Sequence, residues 1–387
     1  MNAESFFGAP RLALDTEFVW TKTYRARLGL VQAARSGGFD PTRLHATAPA
    51  AIPLPAESGP EFSGVVLVDP LAAPPAPLGK VLGDASTVKT LHDAHQDLAH
   101  LFRWTGVAPE NVFDTKIAAG FCGLSCSLSL ARLVEDVAGV SLPKTETRTD
   151  WCRRPLSREQ LVYAAQDVAW LDAVASDLVR RCEKAGTLAW MAEEMAKFDG
   201  PEAYREEPPE AAVRHVKIRP GEIARDDRAA RRRLVALAAW REETARARDL
   251  PRKWIAPDEA LVAVAVDPED PRSGRFGRPV SPRLFAEMRE VARKAGSAPP
   301  DPAAEEAERA EAEKARRRRE AHGKATEVLA KIAAIAEKAG VDPALVASRA
   351  DATEWVLAPD DPSLPLNRGW RFELAGGKLR NRAVKGL

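Results

Sequence analysis

Cysteine is scarce in this sequence. Its four cysteines (Cys122, Cys126, Cys152 and Cys182) are too few and too clustered for a disulfide framework. Cys122 and Cys126 form a CxxxC pair in an apolar stretch, with no His or second Cys pair at zinc spacing, and read as two buried small hydrophobes. No apolar run approaches the ~20 residues that span a bilayer, and the start lacks a basic-then-apolar leader pattern. The expected location is the cytoplasm, away from membranes. No P-loop, HExxH or nucleophile-elbow serine occurs, so ATPase, zinc-protease and α/β-hydrolase readings have no residues to stand on. Charge of one sign is also lacking: 57 Lys and Arg against 56 Asp and Glu leave +1 over 387 residues. That balance argues against a uniformly basic nucleic-acid binder.

What is present is the composition of a soluble globular protein, 45% hydrophobic and 29% charged. The length suits two or three compact domains. The first 70 residues carry strand signals: Leu12–Phe18 alternates, and Leu28–Ala34 and Gly64–Pro70 are further apolar runs. Between the last two lies a Pro-rich loop, 37–63. Strands this close in sequence predict an antiparallel meander. A short strand follows at Lys89–Ala94, then helices at Gln96–Thr105, Ile117–Gly123 and Ser129–Ala138. Ser157 and Gln160 form a capping box opening a long helix that runs to about Cys182. Beyond a strand-like segment at Val213–Ile218 the pattern is helical: Asp226–Arg246, Asp258–Val264 and Pro282–Lys294. After a charged stretch, 298–320, come Lys324–Lys338, Asp342–Arg349 and Ala352–Val356.

Asp15 and Glu17 are two apart on the first strand, so both carboxylates leave the same face. Two acids on one face of an apolar strand are costly unless something positive sits there, and a hard cation with oxygen ligands answers that need. Tyr163 and Asp167 are four apart on one helix face, and Asp97 stands at a helix start. Each taken alone is an ordinary surface or capping acid. Together, in this order, they follow the pattern of the DEDD-type 3′→5′ exonucleases.

The surrounding residues narrow the match. LALDTEFVWTKTYRARLGLVQ at 12–32, LHDAHQDLAHL at 91–101, FDTKIAAGFCG at 113–123, KTETRTDW at 144–151 and LSREQLVYAAQDVAWL at 156–171 all resemble ribonuclease D. Residues 226–300 resemble the HRDC helical module of that family. LVASRAD at 345–351 and RGWRFEL at 368–374 look like a second, more divergent copy. The resemblance implies an α/β ribonuclease H-like exonuclease domain (1–205), followed by two small all-α HRDC-type domains (226–300 and 321–387). Residues 206–225 are the expected linker between the first two, and 301–320 a charged linker between the last two.

It also implies roles. Asp15, Glu17, Asp97 and Asp167 fall on the four acidic positions and Tyr163 on the tyrosine. Asp15 and Asp167 would be central ligands to two divalent cations, Mg2+ or Mn2+, with Glu17 completing the site of the attacking water and Asp97 reaching the other cation. Tyr163, still protonated near neutral pH, would orient the water. The implied reaction removes nucleotides one by one from RNA 3′ ends as 5′-monophosphates, with tRNA precursors as the partner class and a monomer as the working form. Gln32, Lys144, Arg148 and Trp151 are candidate contacts to a phosphate or terminal base. His92 and His95, three apart across a strand-to-helix change, are set aside as packing or solvent-facing residues.

About ten residues precede the first strand, fewer than the family usually carries, and the loop at 37–63 is longer than usual. Two rivals remain: a DNA exonuclease of the same superfamily, and a non-catalytic RNA-binding protein on a degraded nuclease fold. Charge by region bears on partners. Residues 1–205 hold 21 basic against 25 acidic residues, 225–255 hold 10 against 5, and 368–387 hold 6 against 1. The expectation is that the two basic stretches grip the RNA backbone while the acidic domain holds cations.

Overall fold

The structure, a computed structural model, describes residues 3–36, 61–62, 65–142, 149–219, 221–224, 227–297 and 302–383. These pack as two units. The first gathers 1–18, 28–204 and 308–387; the second gathers 19–27 and 205–307.

The first unit is built on a six-stranded sheet. After α1 (Ala3–Gly8) come β1 (Arg11–Val19), β2 (Arg27–Arg35), the two-residue β3 (Glu61–Phe62), β4 (Val65–Val68), α2 (Ala76–Leu82) and β5 (Val88–Leu91). Then follow α3 (His95–Thr105), β6 (Val112–Asp114), α4 (Thr115–Gly120), α5 (Leu130–Ala138), α6 (Arg158–Ala169), α7 (Leu171–Ala185) and α8 (Leu188–Met195). The strand order is β3-β4-β2-β1-β5-β6. β4 pairs antiparallel with β2 and with β3, whereas β5 runs parallel to both β1 and β6. The expected meander is therefore one half of the sheet, and parallel strands make the other. In such a sheet, functional groups gather beyond the carboxyl ends of the parallel strands. Asp15 and Glu17 near the end of β1, and Asp97 just after β5, lie there.

Local chemistry explains the boundaries. Gly106 ends α3 in the left-handed region, φ 72°. Ser129 caps α5, and the Ser157–Gln160 capping box opens α6 with both reciprocal hydrogen bonds formed. The long helix expected to reach Cys182 is instead two helices, broken at Trp170, whose ring packs into the core where the chain turns. The strand expected at 213–218 does not form. Pro208 and Pro209 preset a 3-10 helix over Pro209–His215, and Ala212 and Val216 drop into a helical core.

The second unit is α9 (Arg228–Arg248), α10 (Arg252–Ile255), α11 (Asp258–Val266) and α12 (Pro282–Ser297). Its core joins Leu234, Leu237, Leu261, Val264 and Met288. Arg241 and Asp258, both almost wholly buried, pair at 2.7 Å across it. The segment 19–27 belongs here because Tyr24 is buried against Ala245, Ile255 and Leu284, its hydroxyl donates to Glu242, and Arg252 lies over its ring.

Residues 301–320, expected as a charged linker, are helical from Pro302 on and continuous with α13 (Pro302–Lys338). Alternating acids and bases three and four apart support that helix, as in Arg316 with Glu313 and Glu320. The chain ends in α14 (Pro343–Val346), α15 (Arg349–Leu357), α16 (Gly369–Arg371), a π-helical turn over Phe372–Gly376 and α17 (Gly377–Ala383). This last part shares one hydrophobic core with the sheet: Ile332, Val346, Trp355, Trp370 and Leu374 join Phe113, Phe121, Val174 and Met191. Trp370 meets Phe121 edge to face, centroids 4.9 Å apart. The nearly buried Glu194 of α8 accepts from Trp370 Nε1 at 2.9 Å and Arg371 Nη1 at 2.7 Å. Burial works against the Glu194 charge, yet Arg371 and Lys197 hold its pKa below the usual carboxylate range.

Candidate active site

The alternation of β1 puts Leu14 and Thr16 inside and leaves Asp15 and Glu17 half-buried. Asp167 comes from the last turn of α6. One oxygen from each of Asp15, Glu17 and Asp167 can be chosen so that all lie within 4.8 Å of one another. Asp97, in the first turn of α3, is buried beside them and takes a 2.5 Å hydrogen bond from Thr16 Oγ1. Thr16 was not singled out by sequence, since a hydroxyl on the core face of a strand carries no spacing signal.

The electrostatics are those of a site lacking positive charge. Burial, then repulsion from Asp97, Asp167 and Glu17, pushes the Asp15 carboxyl well above its ordinary value. Burial and then Asp167 and Asp97 push Glu17 up to about 9. Asp97 rises to about 7 through burial, against the hydrogen bond from Thr16. Asp167 also rises to about 7 through burial, although the Tyr163 hydroxyl donates to it. Burial first, and then the three neighbouring acids, raise the Tyr163 phenol. Carboxylates crowded this way fit a hard divalent cation, which reverses the penalty of ionising them together.

The turn leading into the helix of Asp97 is held by a residue that sequence spacing does not single out. Asp114, at the end of β6 and 2% exposed, accepts from the amides of Asp93 (3.1 Å), Ala94 (2.9 Å) and Lys116 (2.8 Å). Those bonds cap α4 and fix the left-handed turn at Asp93, φ 61°. Its signal was present as an Asp-Thr pair ahead of a helix, a capping pattern. Beside Asp97 opens a cavity of about 380 Å3, lined by Phe18, His92, Asp93, His95, Gln96 and Asp97. The two histidines set aside from spacing therefore border the acids.

The proposed substrate contacts fare differently. Gln32 is wholly buried on β2, with neither amide atom paired among the described residues, and Trp151 is 1% exposed. Neither presents a surface to a phosphate or base, which corrects the expectation. Trp151 is instead structural. Its ring centroid is 6.1 Å from that of Tyr163, and its backbone crosses Gly29 so closely that a Cβ there would stand 2.7 Å from the Trp151 carbonyl oxygen. Arg154 pins this crossing, bonding Asp69 through two nitrogens and the Gly29 carbonyl at 2.7 Å. Lys144 and Arg148 lie outside the described residues. In the two basic stretches, Arg241, Arg246, Arg252, Arg371 and Arg380 face Asp258, Glu206, Glu242, Glu194 and Asp360, so part of the basic charge is engaged in internal pairs.

Comparison with known proteins fits this geometry. A family described as 3′-5′ exonuclease matches residues 3–183, and the HRDC domain family matches residues 230–272. Ribonuclease D of Gluconacetobacter diazotrophicus is 34% identical over 384 residues, covering 95% of this chain and 86% of that one. The chain belongs to the ribonuclease D family. Ribonuclease D of Desulfotalea psychrophila is also 34% identical, over 66% of this chain and 60% of that protein. The crystal structure of Escherichia coli RNase D, described as an exoribonuclease involved in structured RNA processing, covers 99% of this chain with a TM-score of 0.74 at 27% identity. The catalytic core of RRP6 from Trypanosoma brucei, at 19% identity and TM-score 0.55, shares the fold. The family places this chain among 3′→5′ exoribonucleases, with RNA as substrate. Among the described residues, no helix is long and apolar enough to cross a membrane.

Proposed function

We propose that the chain trims RNA 3′ ends one nucleotide at a time, releasing nucleoside 5′-monophosphates, with 3′-extended tRNA precursors as its substrate class. The observation that carries this is the Asp15–Glu17–Asp167 group within 4.8 Å, with Asp97 beside it. These four carboxylates would hold two divalent cations, Mg2+ or Mn2+. Bound there, such ions supply neutralisation of phosphate charge and acidification of a water. Held there, the ions would favour the ionised carboxylates over the protonated forms that burial, and then mutual repulsion, favours in their absence.

The protein's own groups do the positioning. Tyr163, raised above its ordinary pKa and donating to Asp167, keeps its proton and orients a water instead of deprotonating it. Thr16 steadies Asp97, and the Asp114 hydrogen bonds steady the loop before it. The cavity at Phe18, His92 and His95 offers room for the end of a strand beside the acids.

The test is incubation of a 3′-extended tRNA with and without magnesium or manganese, with products resolved on a gel. Asp15→Asn and Asp167→Asn should abolish metal-dependent trimming while melting cooperatively, and Tyr163→Phe should be slowed. Trimming retained by either Asp variant overturns the assignment.

A further inference from the structure

The acids of the site are unequally supplied with hydrogen-bond donors. Asp97 takes the hydroxyl of Thr16, and Asp167 takes that of Tyr163. Asp15 accepts from the backbone amide of Thr16, and among the described residues no side chain donates to it.

Across the sheet from Asp15 stands a donor without an acceptor. Ser36 N donates to Arg11 O at 3.1 Å, joining the first residue of β1 to the residue just past the end of β2. These neighbouring strands therefore run antiparallel, and counting along each from that bond (11 to 15, 36 to 32) sets Gln32 opposite Asp15. Opposed residues on antiparallel strands leave the same face, with Cβ atoms roughly 4.5–5.5 Å apart. Gln32 is 0% exposed, and neither Nε2 nor Oε1 has a partner among the described residues. Its neighbour on the other side is Leu67 of β4, which has no polar side-chain atom to offer.

A buried carboxamide unpaired at both ends is rare, because each end forfeits its bonds to water. Methionine or leucine would fill the same space without that loss. An ionised carboxylate, by contrast, has two oxygens and about four lone-pair sites, and cation binding leaves some of them free. An N–H aimed at one of these sites fixes which way a ligating carboxylate turns. We infer that Gln32 is a positioning residue for Asp15: its Nε2 donates to the Asp15 carboxylate and holds it in the orientation that binds divalent cations. Gln32 itself touches neither RNA nor cation. This rests on the reading of the four acids as a metal site, and it gives that site a residue from β2. Thr90 supplies the comparison. Its hydroxyl is also buried and unpaired among the described residues, but it is in register with Ala13, which has no acceptor on its side chain.

The test uses the full chain, stripped with EDTA and dialysed. Mn2+ alone is titrated by isothermal calorimetry, and thermal unfolding is followed separately without metal. Gln32→Met keeps the volume and removes the amide. It should melt no lower than wild type without metal, since an unpaired polar group has left the interior. Its Mn2+ affinity should nevertheless fall roughly ten- to a hundredfold. Excess Mn2+ should restore its trimming of a 3′-extended tRNA, with KM for the RNA unchanged. Thr90→Val should bind Mn2+ as wild type does. The positioning role is overturned if Gln32→Met binds Mn2+ like wild type, if it melts well below wild type without metal, or if Thr90→Val loses as much affinity. Trimming that excess Mn2+ does not restore, or a raised KM, also overturns it. A wild type that binds no Mn2+ would instead overturn the reading of the carboxylates as a metal site.

Discussion

Replacing Glu17 by Gln should stabilise the metal-free protein, and the gain should grow with pH. In the unfolded chain Glu17 ionises near 4.5, whereas burial and then Asp167 and Asp97 hold it up to about 9 in the fold. Between those values the unfolded chain is ionised at this position and the folded one is not, so folding must take up a proton. Each pH unit across that window costs about 1.4 kcal/mol. Below pH 4.5 both states are protonated and the cost vanishes. At pH 8 the ceiling is 3.5 such units, about 5 kcal/mol, and relaxation with water entry in a half-buried site brings it nearer ~2 kcal/mol. Glutamine keeps the shape and removes the titration. For a unit of this size ~2 kcal/mol moves the melting temperature by about 4–8 °C. The assay is thermal unfolding by circular dichroism in EDTA at pH 5 and pH 8. The variant should melt higher at pH 8 and within a degree or two of wild type at pH 5. Added magnesium should raise wild type more than the variant. A variant that melts lower than wild type at pH 8, or with the same offset at both pH values, would refute the argument that burial and neighbouring acids keep Glu17 protonated.

Two further outcomes follow from buried polar groups. Asp114→Ala strands the amides of Asp93, Ala94 and Lys116 and should cost on the order of 3 kcal/mol. It should also slow trimming by about a hundredfold as the Asp97 loop loses its fixed geometry; melting and rate measurements check both, and Asp114→Asn should recover part of each. Arg371→Met leaves the Glu194 carboxylate buried without its main partner and should cost about 3–5 kcal/mol at pH 7. Because Glu194 titrates below the usual range, its contribution is present above the unfolded carboxyl pKa and is lost as pH falls through the folded one. The gap between variant and wild type should therefore shrink in acid, and unchanged melting at pH 7 would count against the pair.

Local chemistry was largely readable before any coordinates. The capping box at Ser157, the glycine stop at Gly106 and the face shared by Asp15 and Glu17 depend on residues a few positions apart. What escaped depends on distant residues. Nothing near Trp151 or Gln32 announces that they are buried, because Trp151 is covered by a backbone crossing at Gly29 and Gln32 by the strands beside β2. A basic run reads as a surface for RNA until its partners are known, and Glu194 lies 177 positions from Arg371. The break at Trp170 likewise reflects where a large ring finds room in the core, which periodicity along one helix does not encode.

The shared core of the first unit has a consequence for biosynthesis. Phe121, Met191 and Glu194 precede in synthesis the residues that cover them, which run from Ile332 to Leu379. At about 5–20 residues per second, a ribosome needs on the order of ten seconds or more to go from α8 to Leu379. Throughout that interval the apolar face around Phe121 and Met191, with the Glu194 carboxylate in it, lacks its cover. A chain stopped before α13 would hold all four acids and Tyr163, but with that face open. The nuclease face thus depends for its cover on helices far downstream in sequence, so its folding is not settled when its own residues have been made.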